Sequence, residues 1–185
     1  LNGAFIELID TIRREKEQTI DHDNLDSVTY AGWSKDSAAS AEALTVEFAD
    51  WLAENRDEID TIEKRYGWKP VQHLHHLDVL DDRTVAVHCN WMSPEDIALF
   101  ADLGVSVSHN PASSMKLAAG VAPIPLMLEK GIAVGLGTDG SASNNDLDLF
   151  QEMDLSAKVH KATLLDPTVM SAETVLKMAT IEGAR

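Results

Sequence analysis

Thr84-Val85-Ala86-Val87-His88-Cys89 is a compact apolar run ending in two chemically active side chains. Runs of this kind form buried parallel strands, since both faces of such strands are covered. The chain continues into Ser93-Pro94-Glu95-Asp96, a helix start with Ser93 as cap and Pro94 in the first turn, and the helix is expected to end at Gly104. Val105-Ser106-Val107-Ser108 reads as a second strand, and His109–Gly120 as a loop. Pro123–Lys130 is a helix closed by Gly131, and Ile132-Ala133-Val134-Gly135-Leu136 is a third strand. After the polar loop Gly137–Asn145, helices are expected over about 147–164 and 171–180. Strand, helix, strand, helix, strand, loop, helix is a run of β/α units, which builds a parallel sheet, open or closed as a barrel.

The region before residue 83 has a different texture. Phe5, Leu8, Ile9 and Ile12 give an amphipathic helix over residues 4 to about 19, and Val28-Thr29-Tyr30 a short strand. A further helix passes through Leu44, Phe48, Trp51 and Leu52 and runs on or restarts through Ile59 and Ile62 to Gly67, and Pro70 opens a short helical turn. The fold class is therefore α/β, a single domain over residues 1–185, mostly helical over 1–67. A complete eight-unit barrel takes roughly 200–250 residues. The 185 residues here show three clear units and at most a fourth, so the barrel is expected to be partial.

The net charge of −16, from 31 acidic and 15 basic residues, disfavours nucleic-acid backbones and anionic membranes. Cys89 is the only cysteine, which excludes an internal disulfide and suits a reducing cytoplasm. No apolar run approaches the roughly 20 residues of a membrane helix. The start Leu1-Asn2-Gly3-Ala4-Phe5 has neither the basic opening nor the apolar core of a signal peptide.

In β/α folds, reactive groups gather where strands end and loops begin. The three strand ends carry His88, His109 and Asp139. Singly, each has an ordinary explanation. His88 reads equally as a core histidine, His109-Asn110-Pro111 as loop punctuation, and Asp139-Gly140 as a turn. Their recurrence at the same edge on successive units favours a site.

The segments Val87–Trp91, Ser108–Leu117, Gly120–Pro123, Gly135–Gly140, Ser143–Asn145 and Met178–Arg185 closely resemble the amidohydrolase superfamily. The branch they are most similar to is that of the methylthioadenosine/S-adenosylhomocysteine deaminases and the triazine or chloro-hydrolases, over about residues 54–185. The resemblance implies a partial (β/α)8 TIM barrel in which residues 83–185 supply strands six to eight, without the flanking β-sandwich. It implies a hydrolase for carbon–nitrogen or carbon–chlorine bonds of a small heterocyclic substrate. It further implies one divalent metal, zinc or alternatively iron, with Asp139 and His88 as metal ligands. Asp139 would also accept a proton from the attacking water, and His88 would orient that water. The loop carrying His109 and Asn110 would shape the substrate pocket, together with Trp91.

Other parts of the family pattern are missing. His73-Leu74-His75 is a His-x-His pair on a helical turn and not at a strand end, so His73, His75 and His76 are expected at the surface. Trp51-Leu52-Ala53-Glu54-Asn55 fits the tail of the fifth-strand signature with Trp51 in place of histidine. Alternatively the fifth strand is deleted, which makes Glu54 a doubtful proton shuttle. Catalytic zinc generally takes three protein ligands, so the chain alone is expected to bind metal weakly and not to turn over. The alternative is a non-catalytic truncated barrel. In either case open strand edges point to homo-oligomers.

Overall fold

The computed structural model describes residues 56–184. The expectations for residues 1–55, including Trp51 and Glu54, lie outside the described residues.

Two helices, α1 (Arg56–Tyr66) and α2 (Pro70–His76), precede the first strand. The rest alternates as β1 (Val85–Val87), α3 (Pro94–Leu103), β2 (Ser106–His109), α4 (Pro111–Lys116), α5 (Ile124–Glu129), β3 (Val134–Leu136), α6 (Leu149–Leu164) and α7 (Ala172–Met178). A 3₁₀ turn over Glu182–Ala184 follows. The strands form a parallel sheet in the order β1–β2–β3. Each crossover between them contains helix, as parallel pairing requires.

Local sequence accounts for most boundaries. The side chain of Ser93 accepts from the Asp96 amide at 3.2 Å, and the Asp96 carboxylate accepts from the Ser93 amide at 3.0 Å. That reciprocal box satisfies two otherwise orphaned donors at the start of α3. Ile97 and Phe100, one turn apart, are the buried face of α3. Ile124 and Met127 play the same part in α5.

Register puts Ala86, Val107 and Val134 in one row across the sheet, and all three are buried. They join Ile97, Phe100, Ile124, Met127, Val175 and Met178 in a single core. Alternation sends Val85 and Val87 to the other face, which is less covered, and Val85 is 39% exposed. The expectation of a strand buried on both faces therefore holds for one face of β1 only.

Two further expectations are corrected. The segment after β2 is not simply a loop. Pro111 fixes a helical φ at the first position and lacks the amide that would go unpaired there, so α4 forms directly after Asn110. His73 is not a surface residue: it is buried, and its ring stacks on Tyr66 at 4.4 Å between centroids. One turn of α2 separates it from Leu77 on the packed side, while His75 and His76 are exposed as expected.

Candidate active site

Parallel register carries the C-terminal ends of all three strands to one edge, so His88, His109 and Asp139 leave the sheet on the same side. The backbone there is unusual. His88, Cys89 and Asp139 have φ of 67°, 54° and 59°. Side chains other than glycine enter this left-handed region at a cost of roughly 1–2 kcal/mol each. Such strain at functional sites redirects a side chain that would otherwise continue the strand's alternation.

The consequence is a meeting of β1 and β3 across β2. His88 Nε2 lies 3.7 Å from Asp139 Oδ2, with the imidazole buried and the carboxylate partly exposed. His88 Nδ1 has no hydrogen-bond partner among the described residues. Burial lowers the His88 pKa, and the Asp139 carboxylate opposes that shift. A neutral imidazole keeps a lone pair for a cation.

Asp139 is held at both oxygens. The Ser113 hydroxyl donates to Oδ2 at 2.5 Å, and the Gly140 amide donates to Oδ1 at 2.5 Å. Sequence reading did not single out Ser113, which lies 26 residues away. The run Pro111-Ala112-Ser113-Ser114 is the first turn of α4, and only the helix brings Ser113 to the end of β3.

His109 takes a different direction. It shares a strand face with Val107, is 1% exposed, and its Nε2 lies 3.1 Å from Nε2 of His160 on α6. Burial, His160 and His88 together push its pKa well below the usual histidine value. Burial, assisted by Lys161, pushes His160 down to about 4. Both rings are therefore neutral at pH 7, and one Nε2–H donates to the other nitrogen. No hydrogen bond or ion pair joins His109 to Asp139 among the described residues. His160 was missed because, in sequence, it is one histidine on an amphipathic helix.

Asn110 is buried. With its amide NH₂ turned toward them, it donates to the carbonyls of His109 at 3.1 Å and Gly137 at 3.3 Å. This clasps the end of β2 to the exit of β3. A Cβ on Gly137 would lie 2.7 Å from Ser108 Oγ and closer still to the Asn110 side-chain amide, so the approach requires glycine. Trp91 is half-exposed; its indole N–H donates to the Ala119 carbonyl at 2.7 Å, and the Arg56 guanidinium sits 5.5 Å above its ring. Among the site residues named from sequence, the structure thus joins His88 to Asp139, while His109 meets His160, Asn110 meets Gly137 and Trp91 meets Ala119.

A buried carboxylate supports these loops. Glu152 on α6 accepts from the Ala112 amide at 3.0 Å and from Asn144 Nδ2 at 2.7 Å. Asn144 Nδ2 also donates to the Thr138 carbonyl at 2.9 Å.

Two donors 3.7 Å apart are close enough for one ion bonded to each at roughly 2.0–2.2 Å. A third is needed for a catalytic zinc site. Among the described residues no group of three histidine, cysteine or carboxylate side chains is assembled to hold a metal. His88 and Asp139 therefore fit part of a metal centre and not all of one.

The sequence model of the Amidohydrolase family matches residues 37–185. A 5-methylthioadenosine/S-adenosylhomocysteine deaminase of Syntrophobacter fumaroxidans is 55% identical over 134 residues, 72% of this chain and 31% of that protein. A 5'-deoxyadenosine deaminase of Methanothermobacter thermautotrophicus is 44% identical over 151 residues, 82% of this chain and 35% of that protein. Among solved structures, a zinc-bound adenosine deaminase from Xanthomonas campestris superposes with a TM-score of 0.70 at 39% identity, covering 72% of this chain and 30% of that one. An atrazine chlorohydrolase from Arthrobacter aurescens, complexed with zinc and atraton, gives 0.67 at 30% identity, covering 77% and 34%. The chain spans about a third of the length of the curated relatives it matches.

Proposed function

Since the chain belongs to the amidohydrolase family, we propose that it supplies the strand-six to strand-eight side of a metal-dependent barrel hydrolase that cleaves a carbon–nitrogen bond of a nitrogen heterocycle. The observation that carries this reading is the convergence of His88 and Asp139 at 3.7 Å from the ends of two different strands. The names of the two curated relatives above, a 5-methylthioadenosine/S-adenosylhomocysteine deaminase and a 5'-deoxyadenosine deaminase, support that substrate class ahead of a chlorinated triazine.

Asp139 and His88 would hold a divalent cation, zinc by analogy with the solved neighbours and iron as the alternative, completed by ligands beyond the described residues. When bound, such an ion supplies hydroxide at neutral pH by lowering the pKa of water from 15.7 to about 7. Asp139 takes the proton of the attacking water on its carboxylate and passes it to the departing amine, so water and substrate yield the oxo-heterocycle and ammonia. Ser113, donating to Oδ2, and Gly140, donating to Oδ1, fix the carboxylate for that transfer. His88 orients water and leaving group. His109 and Asn110 shape the pocket by anchoring the β2 end, and Trp91 forms part of its rim. Glu54 remains a candidate proton shuttle on the resemblance alone.

A cytoplasmic location is the reading that the single cysteine supports; no described helix is long and apolar enough to cross a membrane. Exposed Phe150 and Leu165 support association with a second copy of the chain. The test is ammonia release from adenosine, 5'-deoxyadenosine and 5'-methylthioadenosine by a zinc-loaded barrel containing this chain. Turnover that disappears on chelation supports the reading. Zinc-dependent chloride release from a chlorotriazine without deamination would replace it with the dechlorinating alternative.

A further inference from the structure

Glu152 is 0% exposed, sits on the first turn of α6 and belongs to no part of the reaction outlined above. A buried carboxyl is costly unless its oxygens are paired, and burial does raise the pKa of this one while Ala112 and Asn144 hold it down. Each oxygen has a separate task. Oε2 accepts the Ala112 amide at 3.0 Å, next to Ser113. Oε1 accepts Asn144 Nδ2 at 2.7 Å, and the same Nδ2 donates to the Thr138 carbonyl, next to Asp139. The two segments that Glu152 ties together are thus the two that meet in the Ser113–Asp139 hydrogen bond.

We propose that Glu152 is a positioning residue for Asp139: by bridging the start of α4 to the loop after β3, it sets the Ser113 hydroxyl and the left-handed Asp139 backbone in their relative places. A carboxylate fits this position because both of its oxygens accept. A glutamine would turn an NH₂ toward one of the two N–H donors and lose that tie. An aspartate keeps the charge but is one methylene short of spanning the gap. The inference rests on the reading of Asp139 as the site carboxylate, but its geometric content does not depend on catalysis.

The test is therefore made by ¹H–¹⁵N NMR on the full 185-residue chain, without metal or substrate. The Gly140 amide, donating to Asp139 Oδ1, reports the carboxylate position, and the Gly104 amide at the opposite end of the sheet is the control. Asp139→Asn should move the Gly140 resonance in the otherwise native chain. In a Glu152→Gln background that response should be lost or much reduced, with Gly104 unmoved. A merely structural role for Glu152 would lower the melting temperature and leave the Gly140 response to Asp139→Asn intact, and that result overturns the proposal. If Glu152→Gln does not fold, Asn144→Ala, which spares the Glu152–Ala112 bond, takes its place: a lost Gly140 response supports the proposal and an intact one overturns it. Failure of the deaminase assay would refute the proposed activity and leave this result standing.

Discussion

The two edges of the sheet solve the same problem in opposite ways. Where helices turn back into strands, before β2 and β3, the left-handed residue is glycine: Gly104 at φ 75° and Gly131 at φ 80°. Where β1 and β3 leave the sheet, the left-handed residues are His88, Cys89 and Asp139. Left-handed backbone alone does not mark a site, since Leu165 adopts it beyond α6. The strand ends differ because the strained residues include a buried imidazole and a carboxylate that face each other. One edge follows the local rules of chain reversal, and the other sets them aside where side chains must converge.

The contrast is open to attack from both edges. The largest effect is expected from Asp139→Ala, which should lower zinc-dependent deamination by the assembled barrel by about 10²–10⁴-fold, read from initial ammonia-release rates. A fully active variant would reduce the left-handed Asp139 to a turn residue. Next, Glu152→Ala leaves two donors under α4 and the β3 loop without their acceptor. At about 1–3 kcal/mol for each buried group left unpaired, thermal unfolding should detect it readily.

Acid should weaken the histidine pair. The folded-state pKa of His160 is lowered from 6.5 to about 4, so the unfolded chain takes up that proton first as pH falls. Stability should therefore be intact above pH 6.5 and decline between 6.5 and about 4. Depression of His109 and His88 adds in the same direction. Melting temperature against pH checks this, and His160→Phe should flatten the profile. The smallest effects belong to the other edge. Ser93→Ala removes the capping box of α3 and should cost about 1 kcal/mol. Gly104→Ala imposes left-handed strain of roughly 1–2 kcal/mol. Neither should change metal affinity, measured by competition with a chelator.

The β/α alternation was legible because it rests on short-range signals: apolar runs of strand length, Ser93-Pro94, Gly104 and Gly131. The position of the strand ends was legible for a similar reason, since the strand–helix–strand order brings His88, His109 and Asp139 to one edge. The contacts that finish the site were not. Ser113 to Asp139 and Ala112 to Glu152 span 26 and 40 residues, and no local pattern encodes a partner at that distance. His73 was misplaced because histidine is ambivalent toward burial, and only the stack on Tyr66 decides it. His109 proved to face α6, a direction set by its alternation with Val107 and by the position of His160.

The central claim is that the chain carries two ligands of a metal centre, His88 and Asp139, and relies on others for the rest. The direct measurement is zinc content by elemental analysis of the purified 185-residue chain after zinc exposure and removal of excess. The expected result is well under one zinc per chain, rising to one in an assembled barrel and falling again with Asp139→Ala. One zinc per isolated chain would contradict the claim, for it would mean that a complete ligand set lies within these 185 residues.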